Sequence, residues 1–279
     1  MRHTPTILVQ LRCLCVALAL SLPAVVCGQN HYDTTQWANG LPYGLLQGVM
    51  IPGQDLNEGH VLTLTFIPTD TAAVSADGKW VTFNGYYITT TEVTQRVWEI
   101  VMGPREWKQK GDNLPATGVN LWDVMMFLER LDSLIGGNPR IPTVQEWEFA
   151  SRGGHLSEGY RFSGSDNANF VAWWQGNSAP KAGKKKTYLL HPVGSLLENE
   201  AMLYDMHGNA AEMAFASNGN IVAMGGCCAS NQDEMLHPCA IFFPSVTTEP
   251  EEGSLHSDQC GFRIVMTARR DYLDPTKVE

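Results

Sequence analysis

Charge is scarce in this chain. Asp, Glu, Lys and Arg make up only 17% of the residues, and the acids outnumber the bases 29 to 19. A formal net charge of −10 gives no electrostatic footprint for nucleic acid, and it suits a protein that meets cations. Long hydrophobic runs are also lacking. The longest apolar stretch, Leu14 to Val26, falls well short of the about 20 residues that a membrane-spanning helix needs. No internal repeat, coiled-coil heptad, low-complexity tract or linker composition appears. The chain beyond its N-terminal region therefore reads as one domain from about 60 to 270, with 271–279 as a short tail.

What is present fits a globular protein: 44% of the residues are apolar, enough for a sizeable core. Arg2 and Arg12 precede the Leu14–Val26 run, and small residues follow it. That order predicts a secretory signal peptide over 1–28, with export to the periplasm, outer surface or medium. Cleavage before Gln29 is the favoured reading, and lipid attachment at Cys27 is the alternative. Export places Cys227, Cys228, Cys239 and Cys260 in an oxidising compartment. Four cysteines allow three pairings, and a bond between the neighbours Cys227 and Cys228 would be strained, which leaves two.

Residues 29–59 are polar and weakly patterned and predict an irregular lead-in. Leu62, Leu64 and Phe66 alternate in a strand over 61–67, and Trp80–Phe83 follows the Asp77-Gly78 turn signal as a second strand. Val93, Val97, Ile100 and Val101 give a helix over roughly 91–102. A second helix starts after Asn120 and buries Val124, Phe127, Leu128 and Leu131. A third starts at Thr143, where Thr-Val-Gln-Glu forms a capping box with Glu146, and Gly153-Gly154 ends it. Lys181–Lys186 reads as a solvated basic loop. Trp147, Trp173 and Trp174 read as core aromatics before they read as a sugar platform.

The stretch "LYDMHGNAAEM" (203–213) places Asp205 and Glu212 on either side of a glycine-containing bend. By itself it is a hydrogen-bonded turn. It stands, however, in an ordered series: "YYITTTEVTQRVWEIVMG" (86–103), "GDNLPATGVNLWDVMMFLERL" (111–131), "RIPTVQEWEFASRGG" (140–154), then 203–213, then "GFRIV" (261–265). Together these resemble the formylglycine-generating enzyme, or sulfatase-modifying factor, family, and in particular its exported bacterial members. The resemblance implies an irregular α+β fold related to C-type lectins and poor in regular secondary structure.

It also implies a calcium site made by Asp205, the carbonyls of Gly208 and Ala210, and Glu212, an oxygen-rich set of the kind Ca²⁺ prefers. A second family site would draw on Asn169 and the Phe170 carbonyl, but its later aspartate falls in Lys184–Thr187, where no carboxylate stands. Catalytic members hold copper(I) on two cysteines, four and nine residues after the second glycine of a Gly-Gly-Ser motif. Here the glycines are Gly225 and Gly226, and those positions carry Ser230 and Met235. His207, inside the bend, reads as a solvent-facing turn residue. The implied function is a non-catalytic, calcium-binding envelope domain that acts in binding or assembly on an unidentified protein or glycan. Its binding surface would span 227–260, stapled by disulfides, with Ile241, Phe242 and Phe243 as anchors. The alternative is a copper-dependent formylglycine-generating oxidase with Cys228 and Cys239 as the metal thiolates, acting on an exported sulfatase.

Overall fold

An antiparallel five-stranded sheet with two different cores on its faces organises the fold. The computed structural model describes residues 46–51, 60–67, 70–73, 80–83, 85–179, 187–237 and 258–267. The strands are β1 (Leu46–Ile51), β2 (His60–Ile67), β5 (Tyr86–Thr89), β6 (Pro139–Arg140) and β12 (Val265–Thr267), in the order β1-β2-β5-β12-β6. The last strand of the domain thus lies against the middle of the sheet, with Val265 opposite Ile88 and Arg140. β3 (Asp70–Ala73) and β4 (Trp80–Phe83) form a separate hairpin.

Strand periodicity assigns the faces. Leu62, Leu64 and Phe66 of β2 join Val49, Ile51 and Tyr87 in one core. Ile67, Tyr86 and Ile88 turn to the other. All four residues of β5 are buried, as expected of a strand covered on both sides. β1 lies within the stretch expected to be an irregular lead-in. The expectation failed because its inward pair, Val49 and Ile51, spans too few residues to stand out from polar surroundings.

The first core is closed by α1 (Gln95–Met102) and α2 (Leu121–Ile135). Trp98 of α1 stacks on Phe127 of α2 at 5.3 Å, and Phe262 meets both rings edge-on. α2 begins at an Asn120 capping box with Asp123 and buries Val124, Phe127, Leu128 and Leu131, the residues expected from the pattern. α1 starts later than expected, at Gln95. The Thr94 hydroxyl caps the Val97 amide, while the Val93 N–H is already used by the Phe262 carbonyl. The delay leaves Glu92 outside the helix and turns it into the interior, where it is 1% exposed.

On the other face lies α3 (Val144–Ser151), and a three-stranded sheet ordered β10-β9-β11 feeds both cores, with Met213 and Ile221 in the first and Ala214 and Met224 in the second. These strands are β9 (Ala211–Phe215), β10 (Ile221–Met224) and β11 (Cys260–Gly261). α3 opens on the expected Thr143–Glu146 capping box. Glu146 also takes both guanidinium nitrogens of Arg140, at 2.7 and 2.6 Å. Two short parallel strands, β7 (Ala172–Trp173) and β8 (His207–Gly208), set the 203–213 segment against the aromatic residues around 173. Among the described residues no helix is long and apolar enough to cross a membrane.

Candidate functional site

The 203–213 segment folds into a tight bend, buried at every position except the half-buried Tyr204. Asp205, Gly208 and Asn209 all have positive φ, at 54°, 77° and 50°. Glycine takes that conformation freely, and Asp and Asn pay for it with side-chain hydrogen bonds. Asn209 does so at both ends of its amide: Oδ1 accepts the His191 N–H at 2.9 Å, and Nδ2 donates to Glu92 Oε1 and to the His191 carbonyl. Gly208 is required sterically as well, because a Cβ there would come within 2.2 Å of the Trp173 carbonyl oxygen.

Glu212, on β9, is gripped from two sides. Arg263 donates from Nε to Oε2 and from a terminal nitrogen to Oε1, both at 2.6 Å, and the Trp147 indole N–H adds a third bond to Oε2. Arg263 also donates to the Thr89 and Tyr204 carbonyls, and its side chain is wholly inaccessible. Asp205 uses Oδ2 for the Gly194 N–H at 2.7 Å.

Two buried oxygens near this pair have no donor: Asp205 Oδ1 and Glu92 Oε2. Burial, and then the neighbouring charges of Asp205 and Glu212, push the Glu92 carboxyl well up. Asp205 is raised to about 6, first by burial, against the opposing pull of the Gly194 N–H. Two carboxyl groups with orphaned oxygens in a dry site can be satisfied by a shared proton or by a cation. The side-chain oxygens open to a cation differ from the expected ligands. Glu212 Oε2 is saturated by two donors, whereas Oε1 accepts one and keeps an acceptor position free. Glu92, absent from the expected ligands, supplies a wholly free oxygen. Three ionised carboxylates against one guanidinium leave a surplus that one divalent ion cancels. Among the described residues no group of three or more His, Cys, Asp or Glu side chains, as placed, could hold a metal ion, so a cation would have to draw these carboxylates together.

The other expected positions fare differently. Asn169 Oδ1 accepts the Trp174 indole N–H, and the Phe170 carbonyl accepts the Leu197 N–H, so each oxygen of the second expected set has one acceptor position committed and one left. His207 is a correction: it is 7% exposed and not solvent-facing. Its Nδ1 accepts the Ser163 N–H at 3.0 Å, and the rings of Trp147 and Phe162 meet it edge-on. Burial, reinforced by Arg152, lowers it to about 4, so it is a neutral hydrogen-bonding group. No disulfide joins any two of Cys227, Cys228 and Cys260. Any two-bridge pattern among the four cysteines must join two of these three, so the expected double staple is not formed. Cys239, Ile241, Phe242, Phe243 and the Lys181–Lys186 run lie outside the described residues. Cys228 is 1% exposed, and the neighbouring Cys227 sulfur, with burial, pushes its thiol up, a poor state for a copper thiolate.

A cavity of about 230 Å³ opens beside the bend. Trp147, Phe162, His207 and Met235 line it, with Arg152 and Glu200 among its polar groups. Met235 ends the short α4 helix (Gln232–Met235), whose cap is Asn231. Sequence reading missed Glu92, Arg263, Trp147 and His207 as parts of the site. A carboxylate among apolar helix-face residues, at Glu92, and an arginine inside the apolar "GFRIV" were the available signals.

Comparison with known proteins bears on the fold and the family. Among solved structures the chain superimposes on the Treponema denticola variable protein 1 with a TM-score of 0.64 at 20% identity, covering 80% of this chain and 99% of that one. It superimposes on PvdO from Pseudomonas aeruginosa with a TM-score of 0.54 at 18% identity, covering 82% and 100%. These likenesses establish the fold. In sequence it is 30% identical over 184 residues to a chaperone protein LppX of Paenibacillus barcinonensis, covering 51% of this chain and 66% of that protein. It is 30% identical over 143 residues to the inactive C-alpha-formylglycine-generating enzyme 2 of Mus musculus, covering 48% and 45%. The chain thus spans less than two thirds of the length of these relatives. The model of the sulfatase-modifying factor enzyme 1-like domain matches residues 48–268, from the first strand of the sheet to its last, and the chain belongs to that family.

Proposed function

We propose that this is a non-catalytic, calcium-stabilised domain, exported to the cell envelope, that works by binding a protein or glycan partner. One observation carries the reading. The positions that the resemblance gives to copper-binding cysteines hold a hydroxyl, Ser230, and a thioether, Met235. Neither supplies the thiolate that copper(I) prefers. Met235 instead lines the cavity beside Trp147 and Phe162, so the region offers apolar walls with polar groups around them, as binding sites do. The names of two relatives, one an inactive enzyme and one a chaperone, support the same reading.

Calcium would be held by Asp205, Glu92, the free position on Glu212 and the carbonyls of Gly208 and Ala210. Its contribution would be charge neutralisation that ties the bend to the start of α1. The partner would contact the cavity, which Met235, Leu236 and His237 of the 227–260 segment help to line. The test uses the purified protein with copper(I), oxygen and a peptide carrying Cys-x-Pro-x-Arg. No aldehyde should form. An aldehyde product would overturn the proposal and return Cys228 and Cys239 to consideration as metal ligands.

A further inference from the structure

His207 spends one ring nitrogen on the fold and keeps the other for the cavity. Its Nδ1 accepts the Ser163 N–H at 3.0 Å, so Nδ1 carries a lone pair and the neutral ring bears its proton on Nε2. Ser163 is itself held, because its hydroxyl takes the Asn199 side-chain amide at 2.9 Å. That amide also donates to the Ala150 carbonyl at the end of α3. Trp147 and Phe162 meet the imidazole edge-on at 6.1 and 5.9 Å, which fixes its plane. Among the described residues nothing accepts from Nε2. An unused donor on a side chain only 7% exposed costs free energy unless something reaches it. The cavity of about 230 Å³ that His207 lines is the space from which it can be reached.

The charged groups of the lining are unequal. Arg152, the residue that caps the end of α3, is exposed, and its guanidinium has no partner among the described residues. Arg161 binds Asp233 at 2.9 Å and lies over the Phe162 ring. The acids are turned into the wall: Glu200 Oε1 takes the Glu158 N–H at 2.8 Å, and Glu200 Oε2 and Glu148 Oε2 are both inaccessible. What stays open is a neutral donor and a cation among the apolar groups of Trp147, Phe162 and Met235. We propose that this cavity captures the C-terminal residue of a peptide. Its carboxylate takes the His207 Nε2–H and the Arg152 guanidinium, and an apolar last side chain packs on Trp147, Phe162 and Met235. The assignment rests on the non-catalytic binding role proposed above and names the partner's chemistry. Charge-assisted bonds of this kind favour a carboxylate over a neutral acceptor. The cavity lies below the about 300–1,000 Å³ of pockets that enclose larger ligands, which suits one residue better than an oligosaccharide.

The experiment follows three probes on the folded protein by ligand-observed NMR: N-acetyl-phenylalanine, its C-terminal amide, and chitotetraose. The free acid should bind at least about tenfold more tightly than the amide, the effect of one hydrogen bond to a charged group. Arg152→Met removes a cation that has no partner to lose, so it should fold normally and erase most of that preference. His207→Phe keeps a ring between Trp147 and Phe162 and should weaken the acid without weakening the amide. If that variant does not fold, the acid–amide comparison and Arg152→Met decide the matter. Equal binding of acid and amide, a preference that Arg152→Met leaves intact, or no binding of the acid at millimolar concentration overturns the assignment. Chitotetraose binding in the absence of acid binding overturns it as well, in favour of a glycan. None of these outcomes touches the non-catalytic reading, which falls only if an aldehyde forms on the Cys-x-Pro-x-Arg peptide.

Discussion

Arg263 holds both carboxylate oxygens of Glu212 at 2.6 Å, with side-chain exposures of 0% and 1%. The pair joins β9 to the segment leading into β12, and through the Thr89 and Tyr204 carbonyls it reaches β5 and the entry to the bend. Removing one member leaves the other as an uncompensated charge in the core, which typically costs about 3–5 kcal/mol. Glu212→Gln and Arg263→Met should each lower stability by that order in urea denaturation. A loss below 1 kcal/mol in either would show that the pair is not a keystone of the fold. For the same reason Glu212→Gln is a poor probe of metal binding, because it breaks the core whether or not calcium is present.

Asp205 and Glu92 are the better probes. Both carboxyls titrate above their ordinary range in the folded protein, so the native state keeps protons that the unfolded chain releases. Stability from this pair is therefore present at low pH; the Asp205 share is lost as pH rises from about 4 through about 6, its raised value, and the Glu92 share is lost in the same direction. Calcium needs the ionised carboxylates and should replace the proton. Without calcium the melting temperature should fall across this window, and added calcium should raise it more at pH 8 than at pH 5. At a hundredfold excess over Kd the gain is about 2.7 kcal/mol. His207, lowered to about 4, acts oppositely: its contribution is lost as pH falls through the same window. The comparison of wild type with Asp205→Asn isolates the carboxyl pair. Equal melting curves with calcium and with chelator at pH 8 would count against the metal site.

Local signals were legible in the sequence, and relationships over distance were not. The Asn120 and Thr143 caps lie within three residues of their partners and could be read directly. The four buried residues of α2 follow from helical spacing alone. Glu92 meets Asn209 across 117 positions, and Arg263 meets Glu212 across 51; nothing local encodes either contact. The start of α1 was misplaced because Thr91 and Thr94 are equivalent as caps by type. Tertiary bonding of the Val93 amide to Phe262 chose between them. The cysteines were read by compartment, and their packing gave a different answer. Cys228 belongs to a small apolar cluster with Leu114, Leu190 and Ala210, while Cys260 is part of the main core.

The α3 cap offers a smaller, cleaner test. The Thr143 hydroxyl accepts the Glu146 N–H at 3.2 Å, and Glu146 Oε2 returns a bond to the Thr143 N–H at 2.9 Å. Thr143→Ala should cost about 1 kcal/mol in denaturant melts. The Glu146–Arg140 pair survives the change, so the loss should stay near that value.

Two glycines separate backbone strain from steric exclusion. Gly208 and Gly219 share nearly the same conformation, with φ of 77° and 81°. Alanine at either position pays for a left-handed backbone, about 1–2 kcal/mol. At Gly219, in the β9–β10 turn, a Cβ meets nothing within 4 Å, and Gly219→Ala should cost no more than that. At Gly208 the Cβ would stand 2.2 Å from the Trp173 carbonyl oxygen, an atom of backbone held in the β7–β8 pairing. Relief requires the two strands to part, which disturbs the Asn209 N–H bond to that same carbonyl and with it the placement of Asn209 against Glu92. Gly208→Ala should therefore exceed the Gly219→Ala cost by at least 1–3 kcal/mol, the usual range for overpacking. It should also diminish the calcium-dependent rise in melting temperature, which Gly219→Ala should leave intact. Equal losses in the two variants would mean that the bend around Asp205 and Asn209 is not held as tightly as its contacts imply.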